Sequence, residues 1–290
     1  MFAVNYLLVL MATVLLAFEF ALSRKYQTME GTAMTAGLRF NLLTGLLTML
    51  IFFGINGFRL EFSPFSLAVA LLAALCGTAY NVISFRILKA GGMALYSMFL
   101  MLGGMLLPYL YGVLFLDEAL TPLRILGVAV IAAAVVLSSR ASYRFSGKVY
   151  LWCALVFLLN GGVSILSKLH QIDTAHSPVS TAAFVMYGGM GRFLFCALAL
   201  LALGKKREKP ASRPVNILAV AAGAAAISGL SYLLQLVGAA NLPATVLYPM
   251  VTGGSIIFSA LSGLVFFREK LSAIQVLSIG LCFAGTLLFL

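Results

Sequence analysis

GVLFLDEALTPLRILGV (residues 112–128) and GLVFFREKLSAIQVLSI (residues 263–279) are two versions of one pattern, set 151 positions apart. At that offset Gly103 falls on Gly254, Gly112 on Gly263, Glu118 on Glu269, and Leu120-Thr121 on Leu271-Ser272. Nearer the start of each copy, Leu22-Ser23-Arg24 resembles Leu166-Ser167-Lys168. Between the copies lies the clearest linker, RASYRFSGK (Arg140 to Lys148). Residues 1–140 and 149–290 therefore form two units of similar size, joined by a basic segment at 141–148.

What fills these units is apolar. Of 290 residues, 62% are hydrophobic and only 9% charged, against roughly 25% charged in a soluble domain. Mean hydropathy is +1.08, and runs near twenty residues long recur throughout. A bilayer core about 30 Å thick takes about 20 apolar residues per helix. Ten spans are predicted: 3–22, 32–55, 66–87, 93–115, 122–139, 149–167, 179–203, 215–237, 243–266 and 271–290. The fold class is all-α, a polytopic membrane protein with ten transmembrane helices in two five-helix repeats. This excludes a soluble enzyme, a disordered chain and a disulfide scaffold. An outer-membrane barrel would alternate over about ten residues per strand, and these runs do not. The first run is longer than a signal-peptide core and lacks a basic lead, so it reads as a retained helix.

A unit of five helices crosses the membrane an odd number of times, so two tandem copies face opposite ways. Inverted repeats give a protein two nearly equivalent states, open to either side, with the site between the halves. The net charge of +11 follows the connectors and forms no nucleic-acid-binding stripe. Fourteen of the 19 Lys and Arg lie in connectors after helices 1, 3, 5, 7 and 9, the largest group being Lys205, Lys206, Arg207, Lys209 and Arg213. Only Arg59, Arg124 and Lys168 follow the even helices, with Arg39 and Arg192 inside spans. By the positive-inside rule the basic connectors are cytoplasmic and both termini extracytoplasmic.

The stretch ANLPATVLYPMVTGGSIIFSALSGLVFFREKLSAIQVLSIGLCFAGTLLFL (240–290) resembles the last two helices of small multidrug resistance proteins. FLDEALTPLRILGVAVIAAAVVL, ending at Leu137, is a weaker copy of it. With ten helices in two halves, the chain resembles the EamA-type branch of the drug/metabolite transporter superfamily. The resemblance implies an inner-membrane carrier of small metabolites or drugs, often an exporter, with a central cavity between the halves. It implies no particular solute. Several relatives have cytoplasmic termini, the reverse of what the charge count predicts here.

Glu19 is the acid lying well inside an apolar run. Ionised in lipid it would cost about 2.5–3.5 kcal/mol or more, so it must face a cavity or a partner. Two readings stand: a proton-coupling carboxylate, as the resemblance to small multidrug resistance proteins suggests, or a salt bridge to Arg39 on the next helix. LAFEFALSRK departs from that family's spacing before the basic residue. Arg39 and Arg192 both fall in the second helix of a half and read as repeat equivalents. An arginine at the Arg39 position is common among EamA-type proteins, which suits packing as well as substrate contact. Arg192 lies about 18 Å from the nearer end of its run. It could bind a carboxylate-bearing ligand or cap backbone carbonyls. Tyr80, Asn81, Asn160, Tyr232, Gln235 and Tyr248 are candidates for lining a cavity or for interhelical hydrogen bonds.

The remaining features carry less. Pro108 and Pro249 are candidate kinks at non-equivalent positions, and Ser255, Ser259 and Gly263 form a small-residue packing stripe. His170, Asp173 and His176 suggest a metal or, more simply, a solvated connector. Cys76, Cys153, Cys196 and Cys282 sit in separate runs as small hydrophobes. No hydrolase, metalloprotease or nucleotide-binding motif is present, which points away from an enzyme or an ATP-driven pump. The expected partners are a small-molecule substrate, the lipid bilayer and protons as coupling ion. Neither cofactor, metal nor nucleic acid is expected, and the chain reads as a monomer or homodimer. A secondary carrier working by alternating access is the main reading, with a facilitative channel or uniporter, or a non-transporting scaffold, as the alternative.

Overall fold

A computed structural model describes residues 2–31, 33–89, 93–138, 146–204, 214–267 and 272–289. Most of the linker at Arg140, the basic connector from Lys205 to Arg213, and Glu269 lie outside the described residues. Ten helices follow in order: α1 (Phe2–Glu30), α2 (Met34–Ile55), α3 (Pro64–Lys89), α4 (Met93–Phe115) and α5 (Pro122–Ser138). Then come α6 (Gly147–Ile172), α7 (Thr181–Leu203), α8 (Pro214–Asn241), α9 (Ala244–Phe267) and α10 (Ala273–Leu287). The chain is an all-α, polytopic membrane protein.

The helix ends follow local chemistry. Pro64, Pro122 and Pro214 each open a helix, where a missing N–H costs nothing. Ser180 caps α7 by accepting the Ala183 N–H at 3.2 Å, and Gly204 closes it in the left-handed conformation. Ser272 and Gln275 form a capping box on α10. Two sequence-based boundaries move by five residues or more. α1 runs eight residues past its expected end, because nothing in SRKYQTME breaks a helix before Gly31, where φ is +85°. α6 runs on to Ile172, which carries Lys168 and His170 out of the expected connector and into a helix. Among the described residues, eight helices are long and apolar enough to cross a bilayer by themselves. α5 and α10, at 17 and 15 residues, are the short pair.

The main packing interfaces make a closed ring in the order α1–α8–α2–α7–α3–α6–α4–α9, with α9 returning to α1. Every neighbour in this ring comes from the opposite half of the chain. Exchanging α1–α5 for α6–α10 turns the ring into itself. The short helices α5 and α10 pack on each other and on α9. α6 also touches α8 across the ring, beside a 2.7 Å hydrogen bond between Ser167 and Tyr232.

Individual contacts repeat in the same way. α2 and α7 cross where Gly45 meets Gly189. A methyl group on Gly45 would come within 2.7 Å of Phe193 N and 2.9 Å of Gly189 O. One on Gly189 would come within 2.8 Å of both Gly45 O and Met49 N. Gly45 faces Gly189, Arg192 and Phe193, while Gly189 faces Gly45, Thr48 and Met49. The two lists coincide under a shift of 144, the offset already marked by Leu22 and Leu166. Gly103 against Phe157 likewise matches Gly254 against Thr13. In this frame the partner of Arg192 is Thr48, and Arg39 corresponds to Ala183. The expected equivalence of Arg39 and Arg192 is thereby corrected.

Candidate functional site

Arg192 is the central residue of α7, eleven positions from either end. Its side chain lines a small pocket with Thr48, Val185, Gly188, Gly189, Ser228, Gly229 and Tyr232. These residues come from α2, α7 and α8, so the pocket sits where the two halves interlock. At about 20 Å³ it holds roughly one water molecule. The pocket beside Arg192 is far smaller than the roomy central cavity implied by the family resemblance.

Glu19 lies within electrostatic reach of Arg192 and of Tyr80. Tyr80 in turn neighbours Tyr96 and Tyr232. Helices α1, α3, α7 and α8 thus bring a carboxylate, a guanidinium and phenols together at membrane depth. The expected Glu19–Arg39 bridge is not formed. Arg39 Nη1 lies 4.0 Å from Glu30 Oε2 instead. The reason is distance along α1: Glu30 sits at the α1–α2 turn, beside the first turns of α2, and Glu19 is eleven residues, or about 16 Å, further away.

The other sequence candidates divide. Tyr232 lines the pocket and is held by Ser167 at 2.7 Å. Tyr248 donates to Ser164 O at 2.5 Å, and Asn160 donates to Leu100 O at 2.7 Å. Gln235 donates to Ser231 at 3.2 Å, and Ser231 reaches Ala12 O across the α1–α8 interface. Asn160 and Tyr248 are thus interhelical ties, and Gln235 supports one. Asn81 is partly buried one residue beyond Tyr80, about 100° around α3. Thr48 and Ser228, which line the pocket, escaped sequence reading because small hydroxyls are common in membrane helices. The 144-residue offset applied to Arg192 would have found Thr48.

At the ends following the even helices, the halves are fastened by hydrogen bonds. Glu118 accepts from the N–H groups of Ala244 and Thr245 at 2.7 and 2.8 Å, satisfying the start of α9. Within the second half, Lys168 donates to Ala239 O and Leu242 O, both at 2.7 Å, satisfying the end of α8. The Glu61 carboxylate accepts from Ser180 N at 2.6 Å and Ser180 Oγ at 2.8 Å, and Tyr187 donates to Glu61 O. Partial burial pushes the Glu61 carboxyl up, but the Ser180 and Asn56 hydrogen bonds and the Arg59 charge outweigh it and hold it below the usual range. His170 is buried against Phe184, with hydrogen bonds to Ser66 and Gln171 at 2.9 Å each. Asp173 instead pairs with His176 at 2.9 Å, a hydrogen bond that lowers its carboxyl below the ordinary value. The connector reading of His170 is corrected; Asp173 and His176 do lie in the connector.

An interlocked bundle of membrane-spanning helices around a polar site is the build of a membrane transporter. Residues 147–290 match the EamA-like transporter family, and through that half the chain is an EamA-type protein of the drug/metabolite transporter superfamily. The family is one of transporters, not of enzymes. A crystal structure of a protein 17% identical to this chain superposes with a TM-score of 0.77, covering 99% of this chain and 96% of its own. At that identity the likeness is one of fold. No curated protein matches the chain.

Proposed function

We propose that the protein is a secondary active transporter of small metabolites or drugs, working by alternating access between two inverted halves, residues 1–140 and 149–290. The observation that carries this reading is the Glu19–Arg192 cluster at mid-membrane depth, beside a pocket walled by helices of both halves. Intramembrane ionisable groups mark solute and proton pathways because their burial is too costly to keep without use. Glu19 is the coupling carboxylate, exchanging protons with one face at a time, and net movement is export. The basic connectors are cytoplasmic and the termini extracytoplasmic in the inner membrane.

Transport assays on reconstituted protein test this. A pH gradient should drive solute accumulation, and Glu19→Gln should abolish that coupling while the protein stays monodisperse. Full gradient-driven transport by Glu19→Gln would remove Glu19 from the mechanism. Linear, non-saturating flux without counterflow would replace the carrier by a channel.

A further inference from the structure

Resting on the carrier reading, we propose that this site takes small zwitterions, with Arg192 receiving the solute's carboxylate and Glu19 its ammonium group. Arg192 lines the pocket at the centre of α7. Among the described residues it makes neither a hydrogen bond nor a contact ion pair, whereas Arg39 is paired with Glu30. Glu19 is near enough to sense the guanidinium, yet it too has no contact ion pair among the described residues. A carboxyl group and a guanidinium, close but not touching, leave a gap that a molecule with both charges can bridge once Glu19 has given up its proton.

Solutes of other charge types fit worse. A lone carboxylate would satisfy Arg192 while adding a second negative charge beside Glu19. A lone ammonium would do the reverse. An uncharged solute would compete with the attraction between the two side chains and bring no charge of its own. The hydroxyls of Thr48, Ser228 and Tyr232 supply further polar contacts from the same wall.

Glycine sets the scale of the solute. Gly188, Gly189 and Gly229 all line the pocket. A methyl group on Gly188 would meet nothing within 4 Å, so the space beside it is free. The solute therefore has a short side chain, entering once α2, α7 and α8 part.

Alanine, propionate, ethylamine and lactamide share one small skeleton and differ in charge, so they isolate the claim. Thermal stability of the purified, detergent-solubilised protein is titrated with each. Alanine should stabilise the wild type at concentrations at least about tenfold lower than the other three. Glu19→Gln should erase the advantage of alanine over propionate, and Arg192→Gln its advantage over ethylamine. Glu19→Asp, which keeps the charge, should retain both, and size-exclusion profiles identify any variant that fails to fold. Equal stabilisation by a singly charged analogue, no stabilisation by alanine, or unchanged preference in both folded neutral variants overturns the proposal. Counterflow in proteoliposomes separates the two layers. Counterflow of propionate or ethylamine in place of alanine rejects the zwitterion and keeps the carrier. Alanine binding with no counterflow of any of the four rejects the carrier and keeps the ligand class.

Discussion

Gly188 and Gly189 are neighbours in sequence and opposites in consequence. Gly189 lies on the α2–α7 crossing, where an added methyl would run into the α2 backbone at Gly45 and Met49. Gly189→Ala should therefore destabilise the protein by about 1–3 kcal/mol, read as a lowered melting midpoint. Gly188→Ala has open space and should leave stability unchanged while reducing solute affinity, measured by the same thermal titrations in the presence of solute. Lys168 gives a third case. It is buried, and Lys168→Met leaves the carbonyls of Ala239 and Leu242, at the end of α8, without this donor, at a cost of about 2–4 kcal/mol in thermal or denaturant unfolding. Glu19 and Arg192 stood out in the sequence because charge in an apolar run is conspicuous. Lys168 did not, since a basic residue near the end of a run looks like a connector residue. Only the position of the α8 end shows why it is inside.

Among the elements, the α2–α3 connector and the start of α7 form a polar joint. Glu61 holds Ser180, the cap of α7, by two hydrogen bonds. Its carboxyl is held below the ordinary value of 4.5, so its contribution is fully present above about pH 4.5 and is lost as pH falls through the lowered value. Melting curves taken on either side of pH 4.5 should show a larger acid-induced drop for wild type than for Glu61→Gln. An identical drop in both would mean that this joint adds nothing to stability. Helix number and order were legible from apolar runs and breaks alone. Helix ends were less so: Arg24 and Lys25 interrupt the apolar run, but a helix needs a glycine or a cap to end it, and α1 finds one only at Gly31. The partners of each helix were not legible at all, because lipid-facing and protein-facing surfaces are both apolar.

For the whole molecule, the small pocket and the fastened even-helix ends describe a single conformation, and the proposed carrier cycle needs at least two. Ser180 Oγ donates to Asn56 Oδ1 at 2.9 Å across the two halves. A disulfide between Asn56→Cys and Ser180→Cys in a background lacking the native cysteines should stop counterflow, and reduction should restore it. Undiminished counterflow with the bridge formed would show that this end need not open. The alternation of the ring also bears on how the chain is made. Each buried cluster draws residues from both halves: Tyr26 with Ile217 and Val220, Ile87 with Val149 and Cys153. When the ribosome has released only α1 to α5, those helices have hardly any of their final neighbours, so they must wait in lipid, loosely associated, until translation supplies the rest. Maturation is thus a late, concerted event in biosynthesis, and a prematurely terminated product would be recognised by membrane quality-control proteases as an unassembled fragment.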